Sequence, residues 1–109
     1  MQGKDVSLVI SVWNRVDDLR DNLAAIRKQT VQPGEVIVVD NDSTDGTPEM
    51  VAEEFPEVQL IGMPHSRYGA CETFNIGFAS ATGALVGILD DDVILPEDYV
   101  ARMLEEFAK

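Results

Sequence analysis

Four short apolar runs alternate with stretches whose apolar residues fall three and four apart, and this alternation constrains the fold more than any other feature of the chain. The runs lie at residues 6–12 (Val-Ser-Leu-Val-Ile-Ser-Val), 35–39 (Glu-Val-Ile-Val-Val), 58–61 (Val-Gln-Leu-Ile) and 84–89 (Ala-Leu-Val-Gly-Ile-Leu). They are rich in β-branched residues, and the second is continuously apolar, as strands are when helices cover both faces of a parallel sheet. The expected fold class is therefore α/β: a mostly parallel open sheet flanked by helices in the order β-α-β-α-β-α-β-α, joined by right-handed crossovers.

The helical stretches carry their own signals. Residues 17–29 place Leu19, Leu23 and Ile26 on one stripe. In the next, Thr47 is the expected N-cap and Pro48 the first helical residue, with a stop at Pro56. A third helix over 70–81 is expected to turn Cys71, Phe74 and Phe78 inward. A last one opens at Pro96-Glu97-Asp98 and shows Val100, Met103, Leu104 and Phe107 on one face. A chain of 109 residues fits one domain with a modest core.

Charge narrows the function. The formal net charge is −12 and the eight Lys and Arg form no basic run, which excludes nucleic acid bound through its phosphates. One cysteine, Cys71, cannot form an internal disulfide and is expected to be a buried or half-buried thiol in a reducing compartment. His65, six residues away, gives it no evident nucleophilic machinery. No signal peptide and no membrane-spanning run is legible, so a cytoplasmic location is expected, alone or as the cytoplasmic part of a longer membrane-associated protein.

In open parallel sheets ligands bind outside the carboxyl ends of the strands. Three polar segments fall there: Trp13-Asn14, the oxygen-rich Asp40 to Ser43, and Asp90-Asp91-Asp92. Three adjacent carboxylates repel and raise one another's pKa unless a cation joins them, and a hard divalent ion is the usual partner. If the backbone stays extended, Asp90 and Asp92 point to one side and Asp91 to the other. A solvated acidic turn is the competing reading, as an Asx-turn is for Asp42, Ser43 and Asp45.

Taken in order, Val-Ile-Ser-Val-Trp-Asn14, Gln29-Thr30, Val-Val-Asp-Asn-Asp-Ser-Thr-Asp-Gly-Thr47, Asn75-Ile-Gly77 and Leu-Asp-Asp-Asp92 closely resemble the start of a family 2 glycosyltransferase of the GT-A fold. The resemblance implies that residues 1–109 form the nucleotide-sugar-binding half of such an enzyme. Ser11, Trp13 and Asn14 would line the nucleotide pocket, Asp40 and Asn41 would hold base or ribose, and Asn75, Asp90 and Asp91 would complete the donor site. Asp92 and Asp90 would hold Mg²⁺ or Mn²⁺ on the diphosphate of a UDP-, dTDP- or GDP-sugar.

The same resemblance marks departures. Phe74 stands where many relatives carry Arg before Asn75, so a phosphate or sugar contact is lost or supplied by Arg67. Relatives continue into an acceptor half that carries the acid serving as base in inverting transfer. No such base is evident here, so the chain alone is expected to bind donor and to transfer little, and the surfaces such a half would cover are expected to favour a homodimer. A non-catalytic nucleotide-binding or interaction module is the alternative. A signalling receiver module lacks its acid pair and lysine here, and a dinucleotide site lacks G-x-G-x-x-G.

Overall fold

In a computed structural model, which describes residues 1–67 and 69–108 and leaves the side chain of Ala70 undescribed, the elements follow the expected alternation. After a single 3₁₀ turn at Gly3–Asp5 come β1 (Val6–Val12), α1 (Val16–Arg27), β2 (Glu35–Asp40), α2 (Thr47–Glu54), β3 (Gln59–Gly62), α3 (Ala70–Ser80), β4 (Leu85–Asp90) and α4 (Tyr99–Ala108). The four strands are all parallel, in the order β3-β2-β1-β4. From β1 the chain winds outward through β2 and β3, then returns to place β4 on the other side of β1. The point where the winding reverses, between β1 and β4, is where an open sheet leaves a crevice.

The sheet is covered on both faces. Leu8, Ile10 and Val12 of β1 and Val38 of β2 pack with Leu19, Leu23 and Ile26 of α1, Met50 and Val51 of α2, and Val100 of α4. The opposite face, built from Val9, Ile37 and Val39, receives Phe74 of α3. Consecutive residues of β1 thus serve two cores, which is why its sequence shows no polar alternation.

Several local expectations are corrected. The buried positions of α3 are Thr73 and Gly77, whereas Cys71 and Phe78 are exposed, Phe78 by 57%. The reason is distance: a Cβ on Gly77 would stand 2.3 Å from Val9 Cγ1, so the helix rests on the sheet through the one residue that has no side chain. Phe107 is likewise exposed, outside the face that buries Val100 and half-buries Met103 and Leu104. Pro96 to Asp98 form a turn ahead of α4, with the Tyr99 N–H donating to the Pro96 carbonyl at 3.1 Å. In α2, Gly46 rather than Thr47 is the N-cap, at φ 90°, because Asp45 accepts the Thr47 N–H at 3.1 Å and draws Thr47 into the helix.

Candidate functional site

The register brings the strand ends together: Ser11 pairs with Asp90 across β1 and β4, and Val12 with Asp40 across β1 and β2. Above them lies an open cleft of about 400 Å³. Its floor is Ser11 and Val12. Trp13 and Asn41 stand on the β1–β2 side, Thr73 and Phe74 on α3, and Arg15 beside the aspartates Asp90, Asp91 and Asp92. A volume of this size is typical of small-molecule sites. Trp13 is 54% exposed, its ring presented to the cleft rather than buried in the core.

The aspartates do not follow the alternation expected of an extended chain. β4 ends at Asp90 and the backbone turns through Asp91 and Asp92, with the Val93 N–H reaching back to the Asp90 carbonyl at 3.4 Å. Asp91 is therefore the half-buried member, while Asp90 and Asp92 are exposed, and all three line the cleft. Burial pushes the Asp91 carboxyl above its ordinary range, and Arg15, whose Nε lies 3.9 Å from Asp91 Oδ1, pulls it down; the charges of Asp92, Asp18 and Asp90 push it further up. Among the described residues no three His, Cys, Asp or Glu side chains gather into a metal cage. That donor set, a few hard carboxylate oxygens in an open cleft, fits a cation whose remaining ligands come from phosphate and water, and does not fit a closed all-protein site.

Beneath the cleft, Asp40 is 3% exposed. One oxygen accepts the Ser43 N–H at 3.3 Å and Oδ1 has no hydrogen-bond partner among the described residues, while burial raises the carboxyl's pKa. Asn41 next to it reaches the cleft, and its Nδ2 donates to the Ser66 carbonyl at 3.4 Å. The two loops after β1 and β2 are knitted to each other. Asn14 (φ 52°) accepts the Thr44 N–H at 2.7 Å and donates its own N–H to the Ser43 hydroxyl at 2.8 Å, and Asp42 also has a positive φ, 59°.

Of the residues singled out from sequence, the structure places Ser11, Trp13, Asn41, Asp90, Asp91 and Asp92 on the cleft. Asp40 sits below it, Asn14 is committed to the loop staple, and Asn75 is exposed on α3 outside the lining. Sequence reasoning missed Arg15 and Thr73. Arg15 was legible as a cation next to a strand end facing acids; Thr73 gives no signal, since its partner Ser11 is 62 residues away. Arg67 is exposed and does not line the cleft, Cys71 is exposed rather than buried, and Tyr68 of the same loop lies outside the described residues.

A doubly wound parallel sheet with an acidic, aromatic-walled cleft at its switch point defines an α/β protein of the open-sheet ligand-binding class. The profile described as Glycosyl transferase family 2 matches residues 7–109, and the chain belongs to that family. Its fold is GT-A. Succinoglycan biosynthesis protein ExoO of Rhizobium meliloti (strain 1021) is 35% identical over 105 residues, covering 93% of this chain and 29% of that protein. An undecaprenyl-phosphate 4-deoxy-4-formamido-L-arabinose transferase of Pectobacterium carotovorum subsp. carotovorum (strain PC1) is 35% identical over 113 residues, covering 97% and 34%. Among solved structures, a mannosyltransferase from Pyrobaculum calidifontis in complex with GDP-Man and Mn²⁺ superimposes with a TM-score of 0.83 at 31% identity, over 96% of this chain and 32% of that one. The chain thus spans about a third of the length of the relatives it matches. No helix among the described residues is long and apolar enough to cross a membrane.

Proposed function

We propose that this chain forms the donor-binding half of a metal-dependent, inverting glycosyltransferase and takes a nucleoside-diphosphate sugar into the cleft between β1 and β4. The observation that carries the reading is the junction of Ser11, Trp13, Asn41 and the three aspartates at one 400 Å³ crevice. Trp13 offers an exposed ring on which a nucleobase stacks. The buried, partnerless Oδ1 of Asp40 is an acceptor whose cost a base N–H or ribose hydroxyl would offset.

Asp90 and Asp92, the exposed pair, would hold Mg²⁺ or Mn²⁺, and Asp91 keeps Arg15 at the rim. A cation bound there supplies Lewis-acid stabilisation of the charge that grows on the departing diphosphate. This explains how an acidic chain recognises an anionic donor. Among the described residues the three aspartates are the only acids lining the cleft, which supports assigning the base that activates the acceptor to another part of the protein.

Calorimetric titration of UDP-, dTDP- and GDP-sugars with and without Mn²⁺, repeated on Asp92→Asn, tests the reading. One nucleotide class is expected to bind only with Mn²⁺, and the substitution to abolish that dependence. Absence of binding across the panel, or unchanged Mn²⁺-dependent binding by Asp92→Asn, overturns it.

A further inference from the structure

The geometry points to Asn22 of α1 as the positioning residue of the acidic turn. Asn22 sits on the buried stripe of α1 between Leu19, Leu23 and Ile26 and is 0% exposed. A polar side chain at such a position is costly unless something requires it. Its Nδ2 donates to the Asp90 carbonyl at 3.2 Å and to the Val93 carbonyl at 2.7 Å. Both partners are acceptors, so the amide orientation is fixed by its surroundings. These two carbonyls bracket Asp91 and Asp92, and one NH₂ group therefore closes the turn on which the aspartates are carried.

Few side chains can do this. The turn needs two N–H donors from a short, neutral group in a fully buried position. Serine or threonine supplies one donor, aspartate when ionised supplies none, and lysine or arginine would bury a charge. Asn22 Oδ1 has no hydrogen-bond partner among the described residues, so the residue is retained at the expense of its own acceptor. Just past the C-terminal end of α1, Gln29 repeats the device at the far end of the loop: its Nε2 donates to the Pro96 carbonyl at 2.7 Å and its Oε1 accepts the Val100 N–H at 3.0 Å. The segment between β4 and α4 is thus held near both ends by amides of α1 and of the loop that follows it.

The consequence rests on the donor-site reading: Asn22 touches no ligand and sets the metal-dependent part of donor affinity through the backbone of Asp90 to Val93. The test uses Asn22→Leu, a near-isostere that keeps the packing and removes both donors, with Leu23→Ala as a control that weakens the same helix without touching the clamp. Two measurements are made on each: ¹⁵N relaxation order parameters without ligand, and affinity for GDP, UDP and dTDP with and without Mn²⁺. In Asn22→Leu the order parameters at Asp91 to Val93 are expected to fall from about 0.85 to below about 0.6. Mn²⁺-dependent nucleotide affinity is expected to fall at least tenfold, and Leu23→Ala to show neither effect. A turn as rigid in Asn22→Leu as in wild type overturns the clamp, and a loosened turn with unchanged Mn²⁺-dependent affinity overturns the positioning role. If the wild type binds none of the three nucleotides, the donor-site reading falls, and the order parameters alone decide the clamp. Should Asn22→Leu fail to fold, Asn22→Ser, which retains one donor, takes its place with the same two criteria.

Discussion

The hydroxyls of Ser11 and Thr73 lie 2.6 Å apart and join the carboxyl end of β1 to the first turn of α3 at the floor of the cleft. Thr73 is 0% exposed and its hydroxyl also reaches the Gly69 carbonyl at 3.3 Å, so the Ser11–Thr73 bond is a part-buried polar contact that sets α3 against the site.

Thr73→Val keeps the shape of the side chain and removes the hydroxyl. It leaves Ser11 Oγ facing a methyl group in a half-buried position, and the expected loss of stability is about 1–2 kcal/mol. Urea unfolding of the two proteins measures it. A loss below about 0.3 kcal/mol would show that water replaces the bond freely.

Gly77→Ala tests how closely α3 lies on the sheet. The added Cβ would meet Val9 Cγ1 at 2.3 Å and Val39 Cγ2 at 3.1 Å, and both valines are fully buried. Alanine's better helix propensity returns about 1 kcal/mol. Overpacking of this kind costs about 1–3 kcal/mol, occasionally more, and the 2.3 Å overlap puts this site at the upper end, so a net loss of about 2 kcal/mol is expected in urea unfolding. An alanine variant as stable as wild type would place the helix farther from the sheet.

These two residues also mark what sequence alone can and cannot disclose. The strands were legible, because a stretch such as Val36 to Val39 has no other use for its β-branched residues than burial on two faces; their order in the sheet was not, since right-handed crossovers permit more than one. The inward face of α3 was not. Counting apolar residues selects Cys71, Phe74 and Phe78, whereas close approach selects Gly77 and Thr73, whose small size is the reason they are inside. For the site, the three strand-end segments were legible as segments. The roles within them were not: whether Asp91 or Asp90 is half-buried depends on where the backbone stops being extended, and Arg15 and Asn22 act on residues about 70 positions away, as the Asn22 bonds to Asp90 and Val93 show.

Asp45 holds two helices at once. Its Oδ2 accepts the Val16 N–H at 3.0 Å and its Oδ1 the Thr47 N–H at 3.1 Å, the first residues of α1 and α2. Although the residue is exposed, the groups packed round its carboxylate take some water from it and oppose ionisation; the bonds from the Thr47 hydroxyl and from the Val16 and Thr47 N–H groups outweigh this, leaving the carboxyl below its ordinary pKa. Asp45→Ala removes both caps and is expected to cost about 2 kcal/mol, with Asp45→Asn recovering part of it. Equal denaturation midpoints for Asp45→Ala and wild type would contradict the double cap.

Glu35 makes stability depend on pH from the other end of the sheet. The Ser7 hydroxyl donates to its Oε1 at 2.6 Å, followed by the Thr82 N–H at 2.6 Å and the Thr82 hydroxyl at 3.0 Å, and together they lower its pKa against the effect of burial. A carboxyl whose folded pKa lies below its unfolded value of about 4.3 contributes fully above that value and loses its contribution as pH falls through the folded one. Asp40 and Asp91 act in the opposite sense: burial raises their folded pKa, so the folded chain takes up their protons first and is relieved as pH falls through those raised values. Wild type is therefore expected to gain from Asp40 and Asp91 as pH falls toward the ordinary carboxylate range, and to lose the contribution of Glu35 below about pH 4.3. Glu35→Gln removes the charge-assisted part of the cluster, so it should be less stable than wild type at neutral pH, with a gap that closes as acid protonates Glu35 in the wild type. Urea midpoints for both proteins across this range measure that gap, and one that stays constant from neutral to acid pH would show that the Ser7 and Thr82 bonds do not depend on the charge of Glu35.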